Sequence, residues 1–229
     1  MKIGFTGTDL PEGKTKYEDD ILAALTEKDK PKKVSPYFAE FILDEFVDCD
    51  AIAVVSGSIL DLLILDMEKI EARIARMTED EDSSFMTRCL ETLESEIPLC
   101  QMELTDEERE GIKAMSAVSL KPVVQIDDGA DVNSVIASAL AAAGLTFFYT
   151  SGPTESHAWL IKTGSDILTC AGKIHTDLAS GFIKGDVVSF DDYMSCHNFN
   201  DCRSKGVARL VDADYILQPG EVIEIRAKT

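Results

Sequence analysis

The sequence predicts an α/β protein with a parallel sheet, followed by a smaller domain of antiparallel or mixed β structure. In the first part, short apolar segments that resemble strands alternate with segments of helical periodicity, which is typical of β-α-β units. After Gly144 the pattern changes to short strands separated by Gly, Pro, Asn and Asp turns. We therefore place one domain at residues 1–144 and a second at residues 145–229.

The elements of the first domain are predicted from apolar runs, helical spacing and capping signals. Compact apolar runs predict strands at 2–6, 37–43, 51–57 and 121–126. Apolar residues from Tyr17 to Leu25 share one helical face. Thr105 and Glu108 have the spacing of a capping box, which predicts a helix from residue 106 to about residue 117. An Ala-rich helix then ends at Gly144, a residue suited to a helix C-terminus.

Residues 59–97 predict a helical hairpin. The stretch ILDLLILDMEKIEARIARM has helical periodicity, TEDEDSS interrupts it, and FMTRCLETLESEI forms a second helix that Pro98 stops. Two helices joined by a short polar turn form an antiparallel pair. Charge lies along one side of it. We prefer a pair that packs on its own domain with a solvated face over one that reaches out from the sheet.

The charge of the chain limits its partners. Its 229 residues include 42 acidic and 22 basic ones, for a net charge of -20. Residues 1–149 carry 17 of these net negative charges and residues 150–229 carry 3. Phosphate binding needs clustered Lys and Arg, so this surface argues against nonspecific binding to nucleic acid, and DNA is not an expected partner. A protein partner with a basic face remains compatible.

The location expected from the sequence is the cytoplasm. No apolar run reaches the roughly 18 residues that a membrane span needs, and MKIGF lacks the long apolar segment of a secretory signal. We therefore expect no membrane partner. The six cysteines are scattered without a C-x-x-C pair. This spacing favours reduced structural thiols over a zinc or redox site.

The segment GFTGTDLPEGKTK, which begins at Gly4, contains a near match to a phosphate-binding loop. In the GxxxxGK[ST] pattern, backbone N–H groups surround the phosphates, the Lys contacts them and the hydroxyl binds Mg²⁺. Here Gly13-Lys14-Thr15 follows the first predicted strand, but five residues instead of four separate Gly7 from Gly13. The segment is a working loop, a broken loop or a coincidence.

Three C-terminal segments indicate a family. They are FFYTSGPTESHAWLI (147–161), AGKIHTDLASGFIKGDV (171–187) and DYILQPGEVIEIR (214–226). In this order they resemble the C-terminal TGS domain of the YchF family, the Obg-like ATPases. The most specific block is AGKIHTD followed by GFI. The resemblance implies a ubiquitin-like β-grasp fold for residues 145–229.

Residues 1–144 resemble a shortened version of the nucleotide domain of the same family. The matching segments are KPKKVSPYFAEFILDEF (30–46) and LTDEEREGIKAMSAVSLKPVVQI (104–126), and the hairpin lies where the family has a coiled-coil insertion. The resemblance implies a reduced P-loop-type α/β domain. It assigns the phosphate loop to Gly7, Gly13, Lys14 and Thr15. It assigns magnesium to Thr15 and Asp44.

The sequence also departs from the family pattern. The loop is one residue too long, and Glu45 and Phe46 stand where the family has a Gly facing the terminal phosphate. A carboxylate there repels phosphate. The sequence DDGA (127–130) replaces the family's Asn-x-x-Glu motif, which reads the base. The switch segment between the two phosphate motifs is largely missing. These departures make a broken loop the preferred interpretation.

The function implied by the resemblance is that of a regulatory or interaction protein without catalytic residues, which binds nucleotide weakly or not at all. Its link to translation or the stress response runs through the TGS domain, with the ribosome, RNA or a protein as partner. Lys173, His175 and Lys184 are candidates for the contact surface. We prefer a structural role for His175, as a turn residue whose ring bonds nearby backbone. The alternative is a P-loop ATPase or GTPase that binds and slowly hydrolyses ATP or GTP with Mg²⁺.

Overall fold

The computed structural model describes residues 1–78 and 83–228, and the chain divides into two compact units. The first unit comprises Met1–Thr15 and Ala39–Ala143, and the second comprises Lys16–Phe38 and Gly144–Thr229. The turn predicted between the two hairpin helices lies partly at residues 79–82, outside the described residues. Within the described residues, no helix combines the length and apolar character needed to cross a membrane.

The elements of the first unit follow one another as alternating strands and helices. The strands are β1 (Lys2–Thr6), β2 (Gly13–Lys16), β4 (Phe38–Leu43), β5 (Ala51–Val55) and β6 (Val123–Ile126). The helices are α2 (Ile59–Ile74), α3 (Ser84–Glu94), α4 (Asp106–Ala114) and α5 (Val132–Ala142), with short 3-10 helices at Leu99–Gln101 and Val118–Leu120.

The first sheet has the strand order β2-β4-β1-β5-β6. β1 pairs in parallel with both β4 and β5, and β5 pairs in parallel with β6. Its central strands are apolar and buried on both faces, as expected for a parallel sheet. The predicted parallel α/β domain is therefore confirmed.

Helices α2 and α3 bury one face each in a common core. This core includes Leu62, Leu63 and Ile70 of α2 and Cys89 and Leu93 of α3. The same core contains Ile52 and Val54 of β5, so the helical pair packs on its own unit, as preferred from the sequence. The capping box at Thr105 and Glu108 is also confirmed at the start of α4, because both of its hydrogen bonds are present.

The elements of the second unit are short. The strands are β3 (Lys33–Ser35), β7 (Leu145–Thr150), β8 (Glu155–Lys162), β9 (Phe182–Val188), β10 (Arg209–Val211) and β11 (Val222–Ala227). The helices are α1 (Asp20–Asp29), α6 (Ile167–Ile174), α7 (Thr176–Ser180), α8 (Phe190–Met194) and α9 (Phe199–Ser204).

The second sheet is mixed, with the order β10-β9-β11-β7-β8-β3. β7 and β8 form an antiparallel pair, as do β9 and β11, while β11 runs parallel to β7. Helix α6 packs Ile167 and Cys170 onto Phe148, Val187 and neighbouring apolar residues of the sheet. A mixed sheet with helix α6 packed against its core agrees with the β-grasp fold class.

Two features of the second unit differ from the sequence prediction. The stretch YILQ (215–218), which its alternating pattern predicts as one of the short strands after Gly144, is not a strand, because only Ile216 forms an isolated bridge, to Asp166, before the turn at Pro219-Gly220. Residues 16–38, which the sequence boundary at 144 assigned to the first domain, lie in the second unit. Their β3 pairs in parallel with β8, and the ring of Tyr17 stacks on Phe147 at 5.7 Å.

Candidate functional site

The segment from Gly7 to Thr15 connects two strands of the first sheet. β1 ends at Thr6, Gly7 takes a φ of 70°, and the chain is anchored by the buried side chain of Leu10. Gly13 takes a φ of 94° and begins β2. Positive φ at both glycines indicates turns at the two ends of this connection. Because β2 continues from Gly13 to Lys16, Lys14 and Thr15 lie in an extended strand.

An extended strand does not supply the geometry of a phosphate loop. Successive backbone N–H groups of a strand point to opposite sides, whereas a phosphate loop turns them toward one anion and leads into a helix N-terminus. The next helix, α1, begins at Asp20, and its N-terminal N–H groups are capped by Asp19. This geometry does not favour phosphate binding. The assignment of a phosphate loop to Gly7, Gly13, Lys14 and Thr15 stays a prediction.

Asp44 follows β4 in a turn with a φ of 52°. Its backbone N–H donates to the carbonyl of Phe5 at 2.9 Å, and its side chain is exposed. Among the described residues, no cluster of three His, Cys, Asp or Glu side chains could hold a metal ion. Thr15 and Asp44 alone leave most of the six positions around Mg²⁺ to phosphate and water. The metal assignment thus depends on the phosphate loop.

Glu45 organises the loop after Asp44. Its carboxylate accepts hydrogen bonds from the N–H groups of Val47 at 2.6 Å and Asp48 at 3.2 Å. These bonds, first that of Asp48, lower the pKa of Glu45 below its ordinary value. A Cβ at Gly4 would lie 2.2 Å from the carbonyl oxygen of Glu45. The loop therefore packs directly on β1, and its Glu45 carboxylate places a negative charge beside the end of β4.

The end of β6 carries a turn rather than a base-reading motif. The N–H of Ala130 donates to the carbonyl of Asp127, and Gly129 takes a φ of 73°. Asp131 then caps α5 by accepting the N–H of Ser134 at 3.0 Å. The acidic residues here therefore shape a turn and begin a helix.

His175 joins helices α6 and α7. Its Nδ1 accepts the backbone N–H of Asp177 at 3.1 Å, so the ring caps α7. This is the backbone hydrogen bond expected from a structural role. The ring is 63% exposed and does not lie in a closed site. Trp159 donates from Nε1 to Thr150 at 3.0 Å and packs against the core of this unit.

The three candidate contact residues of the second unit are not equivalent. Lys184 pairs with Asp212, which neutralises its charge locally. Lys173, in contrast, lines an open groove of about 480 Å³ between β8 and α6, together with Lys162, Thr169 and Gly172. Within the described residues, Lys162 and Lys173 form no ion pair, and no carboxylate lines the groove. The groove is therefore a basic surface on a chain of strongly acidic charge.

The cysteines are free and largely buried, as the scattered spacing predicted. Burial raises the pKa of Cys89 to about 11 and of Cys170 to about 12. Thiols with such pKa values remain protonated at neutral pH and are weak nucleophiles.

Asp66 is a residue whose role the sequence analysis missed. Its side chain is fully buried and accepts the N–H groups of Val118 at 2.9 Å and Ser119 at 2.7 Å. The sequence feature that could have revealed this role is the position of Asp66, four residues from both Leu62 and Ile70 on the buried face of α2. An acid at such a position needs polar partners, which here are these two backbone N–H groups and the ammonium of Lys69 at 3.4 Å.

The fold defines the class of the protein as a P-loop-type α/β domain combined with a C-terminal β domain. The solved structure of the Schizosaccharomyces pombe YchF GTPase matches with a TM-score of 0.76 at 16% identity. The match covers 99% of this chain and 97% of that chain. At 16% identity, this match supports a shared fold of the two chains.

Sequence comparisons identify the family. Residues 145–228 match the YchF-GTPase C-terminal family model, described as "Protein of unknown function (DUF933)". The chain is 24% identical to the ribosome-binding ATPase YchF of Bacillus subtilis over 331 positions, covering 97% of this chain and 90% of the relative. It is 30% identical to the Haemophilus influenzae ribosome-binding ATPase YchF, covering 67% of this chain. The chain belongs to the YchF family.

The extent of similarity differs between relatives. The match to Obg-like ATPase 1 of Rattus norvegicus is 36% identical but covers 42% of this chain and 24% of that protein. The Haemophilus match likewise covers only 43% of its relative. The chain thus spans less than half of these two proteins.

Proposed function

We propose that this chain is a shortened YchF-family interaction protein that contacts the ribosome through its C-terminal unit and does not depend on nucleotide hydrolysis. The observation that carries the proposal is the extended conformation of Gly13–Lys16 in β2, where an active enzyme needs a phosphate loop. Glu45 adds a negative charge after β4. An alignment of 331 positions for a chain of 229 residues also implies long gaps in this chain.

The relatives support the ribosome as the partner. Those of Bacillus and Haemophilus are named ribosome-binding ATPases. The matched family region, residues 145–228, contains the groove with Lys162 and Lys173. A groove with free lysines and no carboxylate suits the phosphodiester backbone of ribosomal RNA, to which lysine binds as a point charge. The assignment of this unit as a TGS domain, with a link to translation or the stress response, is part of the same proposal.

The alternative function is a P-loop ATPase or GTPase. The names of the relatives favour it, because they describe ATPases and a GTPase. It requires Gly13, Lys14 and Thr15 to leave β2 and to rearrange around ATP or GTP with Mg²⁺.

The experiment that tests the proposal is co-sedimentation with purified ribosomes in the absence of nucleotide. We expect the native chain to sediment with ribosomes at low salt, and the bound fraction to fall as salt increases. The double variant Lys162→Glu/Lys173→Glu should bind at least tenfold more weakly. The control Lys32→Glu/Lys228→Glu makes the same charge change in the same unit, outside the groove. Absence of binding at every salt concentration, or equal losses in the two variants, contradicts the proposal.

A further inference from the structure

A cleft in the first unit has a composition unlike the rest of that unit. Its volume is about 430 Å³, within the range of small-molecule sites. Helix α4, the 3-10 helix Val118–Leu120 and the loop at Val47 form its walls. Apolar side chains cover much of the surface, and Arg109, Lys113 and Lys121 stand around it.

The charge of this cleft is opposite to that of its surroundings. The first unit contains 26 acidic and 9 basic residues. Three of those nine basic residues line the cleft, whereas Glu110 is the one acidic residue in its wall among the residues that the structure describes. A random patch of this unit would present mainly carboxylates. The cleft is therefore a positively charged site on a negatively charged unit, which focuses the potential toward an anion.

The three basic groups differ in how available they are to a ligand. The side chain of Arg109 has no hydrogen bond or ion pair within the described part of the chain, so its guanidinium is available to a ligand. Lys113 is 3.2 Å from Glu110, but both side chains are more than 60% exposed, and such pairs contribute little. Lys121 donates to the carbonyls of Phe46 and Val47 and holds the wall in place.

Side chains of helix α2 hold the backbone segment that forms the floor of the cleft. The buried carboxylate of Asp66 accepts the N–H groups of Val118 and Ser119, and Lys69 donates to the carbonyl of Ser116 at 2.7 Å. The segment that carries the apolar floor is thus held by α2. A site held in this way is formed before a ligand arrives, which reduces the entropy lost on binding.

We infer that this cleft binds a small organic anion with an apolar body, of the acyl or aryl carboxylate class. A carboxylate matches the planar guanidinium of Arg109 in a bidentate pair, with Lys113 as a second cation. The apolar body covers Ala117, Val118 and Leu120. Inorganic phosphate lacks such a body, and an uncharged hydrocarbon leaves the cations without a partner. This site goes beyond the proposed ribosome contact and uses none of its residues.

The test compares three ligands by isothermal titration calorimetry on the full chain. Octanoate carries both features, acetate carries only the charge, and octan-1-ol carries only the apolar body. We expect octanoate to bind at least tenfold more tightly than either of the others. Amide NMR shifts on adding octanoate should include those of Val118 and Lys121.

Two charge reversals locate the binding. Arg109→Glu should weaken octanoate at least tenfold, whereas Arg76→Glu, the same change on the same unit outside the cleft, should leave it unchanged. Circular dichroism checks that both variants fold. Octanol binding as tightly as octanoate, no octanoate binding by the native chain, or equal effects of the two variants overturns the inference. Each of these results leaves the ribosome proposal untouched.

Discussion

The hydroxyl of Tyr149 donates a hydrogen bond to Oδ2 of Asp19, with 2.7 Å between the two oxygens and 130 residues between them in the sequence. Oδ1 of Asp19 at the same time accepts the N–H of Leu22 and caps α1. Burial, followed by the charge of Asp19, raises the pKa of Tyr149 above its ordinary value. One carboxylate therefore begins helix α1 and joins it to β7.

Replacing Tyr149 by Phe should destabilise the second unit. The change removes one hydrogen bond to a charged acceptor, which contributes about 1.5–3 kcal/mol to the free energy of unfolding. Urea titration followed by the fluorescence of Trp159, the single tryptophan of the chain and a residue of β8, measures this effect. Tyr17→Phe is the matched control, since the Tyr17 hydroxyl has no hydrogen bond within the described residues. Equal stability of Tyr149→Phe and the native chain would show that the bond contributes nothing.

Replacing Asp66 by Ala should destabilise the first unit. The change leaves the N–H groups of Val118 and Ser119 buried without acceptors, at a cost of about 1–3 kcal/mol each. The loss appears as a lower urea midpoint in circular dichroism at the helix band. Glu68→Ala, an exposed carboxylate on the same helix, is the control and should change stability by less than about 0.5 kcal/mol. Similar losses in the two variants would contradict the role given to Asp66.

Asp186 should make the second unit sensitive to acid. Burial opposes ionisation, but Arg203 at 2.8 Å and the bidentate Arg226 outweigh it, so the pKa of Asp186 lies below its ordinary 3.8. The stabilisation is complete above about pH 5, where the carboxylate is ionised in both states, and is lost as pH falls through the folded-state pKa. The stability difference between the native chain and Asp186→Asn should therefore shrink between about pH 6 and about pH 3.

The same titration with Asp214→Asn provides the comparison for acid sensitivity. Asp214 is exposed and has no side-chain hydrogen bond or ion pair within the described residues. Its difference from the native chain, read from Trp159, should stay small and constant with pH. A constant difference for Asp186→Asn as well would exclude the ion pairs as the source of acid sensitivity.

The features predicted from sequence are those encoded by local patterns. The central strands of the parallel sheet were predicted because their apolar runs are continuous, and the capping box at Thr105 because both partners lie within one helical turn. Gly144 was predicted to end the Ala-rich helix because glycine suits a helix C-terminus, and it follows α5 with a φ of 63°. Such signals need no knowledge of distant segments.

The features not predicted depend on contacts distant in sequence. Gly13–Lys16 resembles the end of a loop by composition, but it is a strand because it pairs with β4. The carboxylate of Asp29 accepts from Ser151 at 2.6 Å and from Tyr193 at 2.8 Å, which places the end of α1 in the second unit. No local pattern at Asp29 specifies these partners, 122 and 164 residues away.

Nucleotide titration tests the central claim, that β2 replaces a phosphate loop, most directly. ATP and GTP, each with Mg²⁺, are titrated by calorimetry into the native chain and into Lys14→Ala. We predict no heat of binding above dilution for either nucleotide, and therefore no difference between the two proteins. Millimolar or tighter binding by the native chain that is lost in Lys14→Ala would contradict the account, because it would show that Gly13–Lys16 can form a phosphate site.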